Sequence, residues 1–289
     1  MNRDLYMPSK TKEIVSKYGF RFSKSLGQNF LVDGNIITKI CEGAEITEAD
    51  GIIEIGPGIG TLTQQLSKYA KKVVAVELDK KLLPILEETL EGIDNVKVIN
   101  SDILKVDIEK LIEEEFEGLN VKVVANLPYY ITTPIIMKLL EEKLDIESIS
   151  VMIQKEVAER MIADPGSKDY GALSVAVQYH SDPKIIANVP SAVFIPRPNV
   201  DSAVIKLDIY KTPPVEVLDE KLMFKVVKSA FGQRRKTILN ALSGGYLELD
   251  KDIIREVLET AGIDLKKRGE VLSKEDFAHI ANVITNYKK

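Results

Sequence analysis

An asparagine, a proline and two tyrosines directly follow an apolar run in the stretch VVANLPYYITTPI, residues 123–135. Asparagine and proline are ordinary turn formers, so a plain turn is one interpretation. The other is a pocket for a flat polar ring. In that pocket the side-chain oxygen of Asn126 and the carbonyl of Leu127 accept the two N–H groups of an aromatic amine. Pro128 fixes the backbone, and Tyr129 offers a stacking face to the ring.

A glycine-rich loop, EIGPGIG at 54–60, lies between an apolar run and a helical pattern. Glycines at Gly56, Gly58 and Gly60 permit a tight turn and close approach of a ligand. The dinucleotide fingerprint is G-x-G-x-x-G, whereas the spacing here is G-x-G-x-G with an acid two places before the first glycine. A glycine loop of this kind can also be only a turn.

Two further acids stand where strands of the same pattern end. Glu77 follows Gly56 by 21 residues, at the end of the second strand, where a carboxylate can accept hydrogen bonds from ribose hydroxyls. Asp102 stands just past the third strand and could accept a bond from an exocyclic amine, although a helix N-cap is the alternative. Asn126 ends the fourth strand. Open α/β sheets bind ligands at the carboxyl ends of their strands, so these positions converge.

The elements that position these residues alternate between strand and helix from residue 50 to about 163. This alternation predicts βαβ units and a parallel sheet with both faces covered. Beyond residue 170 we read three further strands and a partly antiparallel edge, and then helices only: strands ALSVAVQYH (172–180), PKIIANV (183–189) and SAVIKLDIY (202–210), and helices near 216–230, 235–243, 251–261 and 273–286.

The predicted fold is therefore α/β, a Rossmann-like sheet followed by a small all-helical C-terminal domain. We place the sheet domain at 1–210, with a basic N-terminal arm, and the helical domain at 211–289. KTPP at 211–214 is the expected linker.

Composition argues against a disulfide-stabilised, metal-binding or membrane-spanning protein. The chain has 289 residues, of which 45% are hydrophobic, with one cysteine and two distant histidines. A single thiol forms no internal disulfide, and no cluster of metal ligands is apparent, so we expect no metal. The N-terminus lacks a signal-peptide core, and no stretch approaches the ~20 apolar residues of a membrane span. We expect a soluble, cytoplasmic protein without a membrane partner.

Charge is uneven along the chain. The net charge is −5, yet residues 1–30 contain six Lys or Arg against two acids, and residues 225–240 contain five basic residues and no acid. Such runs are usually solvated helix faces. Because salt limits charge effects to about 10 Å, two local basic patches on an acidic chain still permit a phosphate-binding surface.

Five segments occur in an order that resembles a known family: KSLGQNFLVD (24–33), EIGPGIGTLT (54–63), NLPYYITTPI (126–135), VFIPRPNVDSAV (193–204) and FGQRRKTILNAL (231–242). They resemble the KsgA/RsmA family of small-subunit (16S) ribosomal RNA adenine N6,N6-dimethyltransferases, from about residue 10 to 285. The resemblance implies transfer of methyl groups from S-adenosylmethionine, with S-adenosylhomocysteine as product. Its implied targets are two adjacent adenines in the 3′-terminal hairpin loop, within an immature 30S particle, as a step in ribosome biogenesis.

The resemblance also implies roles for individual residues. The cofactor would be bound by Gln28, Asn29, Leu31, Gly56, Gly58, Gly60, Glu77, Asp102 and Asn126. The target-base pocket would be formed by Asn126, Leu127 and Tyr129, with Phe194 over the other face of the base. A paired base must be flipped out or lie in a loop to reach such a pocket. RNA phosphates would meet Arg234, Arg235 and Lys236, which position RNA without reading its sequence.

Three alternatives stay open from the sequence. The first is an Erm-type methyltransferase acting on a large-subunit adenine, which shares the same motifs. FGQRRKTILNAL and KKRGEVLSKEDF (266–277) favour the KsgA side. The second is a ribosome assembly factor or transcription factor without catalysis, and the third is a nicotinamide oxidoreductase, which the G-x-G-x-G spacing disfavours. Nothing in the sequence demands more than a monomer.

Overall fold

The structure is a computed structural model, and it describes residues 5–23 and 26–287. Its contacts group into two compact units. The first consists of the chain up to Ala158 together with Lys184–Ile209, and the second of Glu159–Pro183 together with the chain from Tyr210 onward.

The first unit is built on a seven-stranded sheet and a separate two-stranded ribbon. In chain order the strands are β1 (Phe30–Leu31), β2 (Asp50–Ile55), β3 (Lys72–Glu77), β4 (Val96–Asn100), β5 (Asn120–Asn126), β6 (Ser148–Gln154), β7 (Ser181–Val189), β8 (Phe194–Ile195) and β9 (Ser202–Ile209).

The order across the sheet is β4-β3-β2-β5-β6-β9-β7. Strands β4, β3, β2, β5 and β6 run parallel, and β9 pairs antiparallel with β6. The parallel α/β sheet and its antiparallel edge confirm the fold class predicted from the sequence. The chain leaves β2 toward β3 on one side and later returns to β5 on the other. That reversal creates a crevice at the carboxyl ends of β2 and β5, where such sheets bind ligands.

Within the described part of the chain, seven helices accompany these strands: α1 (Pro8–Lys17), α2 (Gly34–Gly43), α3 (Thr61–Tyr69), α4 (Leu83–Thr89), α5 (Ile108–Glu115), α6 (Thr132–Glu141) and α7 (Lys155–Met161), the last continuing into the second unit. Pro84 lies in the first turn of α4, where its missing N–H costs no helical hydrogen bond. The side chain of Asp33 caps α2 by accepting from the N–H groups of Asn35 and Ile36.

Strands β2, β3, β5 and β6 are buried along nearly their whole length, because helices cover both faces of the sheet. One apolar cluster includes Ile40, Leu66 and Val124. Another includes Phe20, Phe30 and Leu86. The second cluster fixes the N-terminal arm, since Phe20 and Phe30 stack with ring centroids 5.9 Å apart.

Buried charges at the amino ends of β2 and β5 are paired. The ammonium of Lys122 lies 3.0 Å from a carboxylate oxygen of Asp50 and donates to the carbonyl of Glu45 at 2.7 Å. Lys206 on β9 pairs with Glu45 at 2.8 Å and with Asp208 at 2.9 Å. The Lys122 partner holds the pKa of Asp50 below its ordinary value against the opposing effect of burial.

The second unit is helical. Besides the end of α7 it contains α8 (Ala172–His180), α9 (Glu220–Gly232), α10 (Ile238–Ser243), α11 (Lys251–Thr260) and α12 (Lys274–Tyr287). They enclose an apolar core that includes Met223, Ile254 and Phe277. The four C-terminal helices predicted from the sequence are thus confirmed. The division at 210/211 stays a prediction, since the contacts also group residues 159–183 with these helices.

The strand predicted over ALSVAVQYH (172–180) is wrong, because this segment is helix α8. Its β-branched and aromatic residues suggested a strand, but a short apolar run buried on nearly all sides carries no period that separates strand from helix. Contacts with distant parts of the chain decide whether this segment forms a strand or a helix. Tyr179 packs edge-on against Phe224 of α9 at 5.5 Å between ring centroids, and the hydroxyl of Ser174 accepts from the N–H of Gly171 at the helix start.

Candidate functional site

A cleft opens at the carboxyl ends of β2, β3 and β5 in the first unit. Three chain segments form most of its wall: the arm residues 26–31, the glycine-loop residues 54–59 and the residues 126–131. Ten residues predicted for the site line this cleft: Gln28, Asn29, Leu31, Gly56, Gly58, Glu77, Asp102, Asn126, Leu127 and Tyr129. The sheet therefore brings together residues that lie about a hundred positions apart.

The three glycines of the loop differ in what they do. Gly56 has φ +68°, and a Cβ there would meet nothing within 4 Å, so the backbone is open to the cleft. A Cβ on Gly58 would lie 3.1 Å from the ring of Phe30. Gly60, with φ +87° at the start of α3, is not among the described residues lining the cleft, and a Cβ there would press on Thr89 and Leu90. The absence of a Cβ at Gly60 therefore lets the loop pack against α4, and its role in cofactor binding stays a prediction.

Glu77 is the most constrained acid of the cleft. It is buried, and its carboxylate accepts from the N–H of Asp79 at 2.7 Å and from the N–H of Gly58 at 3.3 Å. Burial raises the pKa of Glu77 to about 7, against the lowering effect of these donors. The two bonds fix the side chain across the gap between β3 and the glycine loop, where it can accept further hydrogen bonds from a ligand.

Glu54, the acid before the glycines, is fully buried beside the same cleft. Its Oε2 has no hydrogen-bond partner among the described residues. Burial, with a smaller contribution from the charge of Glu77, raises its pKa to about 8. Burial therefore favours the protonated form of this side chain.

The side chain of Asn126 is oriented by the arm. Its Nδ2 donates to the backbone carbonyl of Asn29 at 3.1 Å. A carbonyl can only accept, so the amide nitrogen must face Asn29 and Oδ1 is turned away from it. The result is an oxygen acceptor at the cleft, held at the end of β5, as the pocket interpretation requires.

The turn after Asn126 holds the backbone firmly. The carbonyl of Pro128 accepts from the N–H of Ile131 at 3.2 Å and from the hydroxyl of Thr132 at 3.1 Å. The hydroxyl of Tyr129 lies 2.7 Å from that of Ser202 on β9. Burial raises the pKa of Tyr129, so its phenol stays neutral near pH 7. Its ring is half-buried in the cleft wall and is fixed at its far end.

The arm is tied to the part of the cleft around Glu77 through Gln28. Its Nε2 donates to Asp79 at 2.9 Å, and its Oε1 accepts from the N–H of Ser23 at 2.8 Å. Asp79 in turn donates to Glu77 through its backbone. One chain of hydrogen bonds thus joins Gln28, Asp79 and Glu77.

Asp102 has the local bond that the N-cap interpretation anticipated, although it caps no helix. Its Oδ1 accepts from the N–H of Leu104 at 3.1 Å, whereas α5 is capped by Asp107. Asp102 also lines the cleft. Its role toward an adenine amine stays a prediction.

Phe194 does not lie where the sequence analysis placed it. Its ring is 3% exposed, packs in the core with Leu31 and Val204, and is not among the described residues of the cleft wall. The flanking prolines suggested a loop, but β8 pairs antiparallel with β1, so that Phe194 lies opposite Leu31. A stacking role for Phe194 stays a prediction that requires its ring to become accessible.

The basic trio lies in the second unit, between α9 and α10. Arg234, Arg235 and Lys236 are all exposed. Arg234 donates to the carbonyl of Lys168 at 3.1 Å and lies 4.0 Å from Glu270. These exposed cations suit phosphate contacts, and their role in RNA binding stays a prediction.

Two residues of the site network escaped the sequence analysis. Asp79 follows Glu77 by two positions. The only sequence feature that could have pointed to it is its position as an acid directly before a helical turn. Ser202 gave no signal, because its bond to Tyr129 joins β9 to a loop 73 residues earlier. Within residues 5–23 and 26–287, no group of three potential metal ligands occurs and no helix is long and apolar enough to span a membrane.

Comparison with known proteins identifies the family. The model of the family described as ribosomal RNA adenine dimethylase matches residues 19–286. The chain belongs to the ribosomal RNA adenine dimethylase family. Among its relatives are proteins named ribosomal RNA small subunit methyltransferase A from Alkaliphilus oremlandii, 62% identical over 95% of this chain and 96% of the relative, and from Clostridioides difficile, 59% identical over 95% and 94%.

Two solved structures share the fold over about nine tenths of the chain. A dimethyladenosine transferase from Plasmodium falciparum is 28% identical with a TM-score of 0.74, covering 90% of this chain and 98% of the other. The 23S rRNA methyltransferase ErmE is 26% identical with a TM-score of 0.66, covering 89% and 100%. The Rossmann-like methyltransferase fold predicted from the motifs is thereby confirmed.

Proposed function

We propose that this protein transfers methyl groups from S-adenosylmethionine to N6 of two adjacent adenines in the 3′-terminal hairpin loop of small-subunit ribosomal RNA. Family membership and relatives named for the small subunit, 54–62% identical to this chain, support the assignment. The observation that carries it is the orientation of Asn126, whose amide oxygen is turned away from the arm by the bond to Asn29.

The residues of the cleft fit S-adenosylmethionine. Gly56 leaves backbone open to a ligand, and Glu77 presents a buried carboxylate to ribose hydroxyls. The cofactor supplies a methyl group on a sulfonium, which is electrophilic without help from a metal. The part of the protein is then to hold the adenine amine in line with that carbon, which can supply a large share of the rate enhancement.

The amine end of the cleft suits this task. In the proposed mechanism Asn126 Oδ1 and the carbonyl of Leu127 accept the two N–H groups of N6. The carbonyl of Pro128 is already committed to the turn. These acceptors favour a pyramidal nitrogen with a freer lone pair. The ring of Tyr129, fixed through Ser202, stacks on the flipped base.

The partner in this proposal is an immature 30S particle, and the protein acts as a monomer in the cytoplasm. Arg234, Arg235 and Lys236 contact phosphates of that RNA. The product of each transfer is S-adenosylhomocysteine, and four transfers complete the two adenines.

The decisive experiment incubates the enzyme with isotopically labelled S-adenosylmethionine and unmethylated small and large ribosomal subunits, and maps methylated nucleotides by mass spectrometry. We expect two adjacent N6,N6-dimethyladenines near the 3′ end of small-subunit RNA. Label on a large-subunit adenine instead would establish the Erm-type alternative. Absence of label, with cofactor binding intact by calorimetry, would establish a non-catalytic assembly factor.

A further inference from the structure

Tyr130 differs sharply from its neighbour Tyr129. The ring of Tyr129 is half-buried, and its hydroxyl is bonded to Ser202. The side chain of Tyr130 is 54% exposed, yet it lines the same cleft. No hydrogen bond to the Tyr130 hydroxyl occurs within residues 5–23 and 26–287. An aromatic ring displayed at the rim of a cleft, without a polar anchor, offers its face to a ligand.

The arm supports this ring from one side. A Cβ built on Gly27 would lie 3.3 Å from Cδ1 of Tyr130 and 3.4 Å from Cβ of Pro128, so the bare backbone of Gly27 lets the ring approach. Gly27 has φ +58°, a conformation that few other residues adopt. The N–H of Ile131 bonds to Pro128, which closes the turn around Tyr130. The ring is therefore held in place although it is exposed.

We propose that Tyr130 is a stacking platform for the nucleobase next to the target adenine in the RNA strand. This inference rests on the proposed function and adds a base-binding position to it. Flipping one nucleotide into the cleft removes it from the stack, so the adjoining base loses a neighbour on one face. Tyr130 is the next residue after Tyr129 and is the more exposed of the two, at the rim of the cleft. Its ring can therefore stack on the uncovered face of the adjoining base.

Stacking on an aromatic ring tolerates any base, because every base has a π-face. The Tyr130 position therefore recognises unpaired RNA beside the target and does not read which base is present. It requires a base to be there, and it requires the ring but not the hydroxyl of the tyrosine. These two requirements separate stacking from hydrogen bonding and from a purely structural role.

The test compares Tyr130→Ala and Tyr130→Phe with a control, Tyr69→Ala, which removes another exposed tyrosine, 44% exposed, from the end of α3, outside the cleft wall. Methyl transfer to unmethylated small subunits is measured together with the dissociation constant for S-adenosylmethionine. We expect Tyr130→Ala to lower kcat/KM for the subunit about tenfold, which corresponds to 1.4 kcal/mol, mainly through KM. Tyr130→Phe and Tyr69→Ala should stay within twofold of wild type.

A second measurement locates the base. Binding of a 3′-terminal hairpin RNA is measured with S-adenosylhomocysteine present, with the base beside the target adenine either intact or replaced by an abasic residue. The abasic change should weaken binding to the wild-type protein about tenfold and to Tyr130→Ala by less than twofold. Equal losses for both proteins would overturn the inference, because the two changes would then act independently.

Other outcomes separate the inference from the proposed function. A Tyr130→Ala protein with kcat/KM within twofold of wild type overturns the stacking role and leaves the proposed function standing. A loss of cofactor affinity that matches the loss of kcat/KM also overturns it, since the ring would then only support the arm through Gly27. A wild-type protein that binds S-adenosylmethionine but methylates no subunit overturns the proposed function and the inference together.

Discussion

The two ends of the parallel sheet contain buried carboxylates in opposite circumstances. At the amino ends of β2 and β5, Asp50 lies 3.0 Å from the ammonium of Lys122. At the carboxyl ends of β2 and β3, Glu54 and Glu77 are also buried, and neither forms an ion pair within the described residues 5–23 and 26–287. The pKa of Asp50 is lowered, whereas those of Glu54 and Glu77 are raised to about 8 and about 7.

This difference separates a structural end of the sheet from a binding end. Asp50 and Lys122 neutralise each other and stabilise the junction of β2 and β5. Glu54 and Glu77 cost folding free energy when they ionise, because burial disfavours the charged form. Glu77 keeps acceptor oxygens where the strands converge, an arrangement that suits a ligand with hydroxyl donors, as the ribose of adenosyl compounds has.

The largest predicted effect comes from removing the ion pair between Asp50 and Lys122 at the structural end of the sheet. Lys122→Met should lower the free energy of unfolding by about 3–5 kcal/mol, because Asp50 is then a buried carboxylate without its cationic partner. Turnover per folded molecule should change little. Chemical denaturation measures the effect, with Lys72→Met as control, since Lys72 pairs with Glu115 nearer the surface and such pairs contribute about 1 kcal/mol or less. Equal losses for the two variants would contradict the distinction.

The pH dependence of stability sharpens the comparison. Glu77 has a folded-state pKa of about 7, above its ordinary value of 4.5. Its stabilising contribution is therefore complete below pH 4.5 and is lost as the pH rises to 7, by about 3 kcal/mol. Asp50, with a lowered pKa, contributes stability above its ordinary value that is lost as acid protonates it.

Unfolding measured from pH 5 to 8 tests this sign. The stability of the wild type should fall with pH more steeply than that of Glu77→Gln, which cannot ionise. Parallel curves would show that Glu77 titrates in the folded protein as it does in the unfolded chain.

Cofactor affinity should be the next largest effect. At pH 8, above the Glu77 pKa of about 7, Glu77→Ala removes a mostly ionised hydrogen-bond acceptor and should weaken binding of S-adenosylmethionine about 10–100-fold, since hydrogen bonds to charged groups contribute about 1.5–3 kcal/mol. Calorimetry measures it, with Glu91→Ala, an exposed acid outside the cleft, as control. An unchanged dissociation constant would remove Glu77 from the ribose role.

The smallest effect concerns the second unit. Replacing both Arg234 and Arg235 by alanine should weaken RNA binding and reduce the slope of log affinity against log salt by about 1 for each phosphate that the variant no longer neutralises. The double variant Lys68→Ala/Lys71→Ala, which removes two exposed cations near the end of α3, is the control. A slope equal to that of the wild type would make Arg234 and Arg235 ordinary solvated residues.

Much of the binding end could be predicted from the sequence because its signals are local. Gly56, Glu77 and Asn126 each stand at the end of an apolar run, and parallel strands bring such ends together. The spacing of the strands was sufficient to place them in one cleft.

What could not be predicted depends on contacts between distant segments. Phe194 was expected in a loop, but its pairing opposite Leu31 buries it. The local pattern of residues 172–180 predicts a strand, but packing against α9 makes them a helix. The bond from Tyr129 to Ser202 and the ion pair of Asp50 with Lys122 have no signature in either local sequence.

The most direct test of the account concerns the acceptor at the binding end. Methyl transfer to unmethylated small subunits is measured for Asn126→Ala, together with its cofactor affinity, with Asn188→Ala, an exposed asparagine of β7, as control. We expect kcat to fall at least about 10²-fold, as for loss of other preorganised polar groups, while the dissociation constant for S-adenosylmethionine stays within a few-fold. Turnover equal to that of the wild type would contradict it.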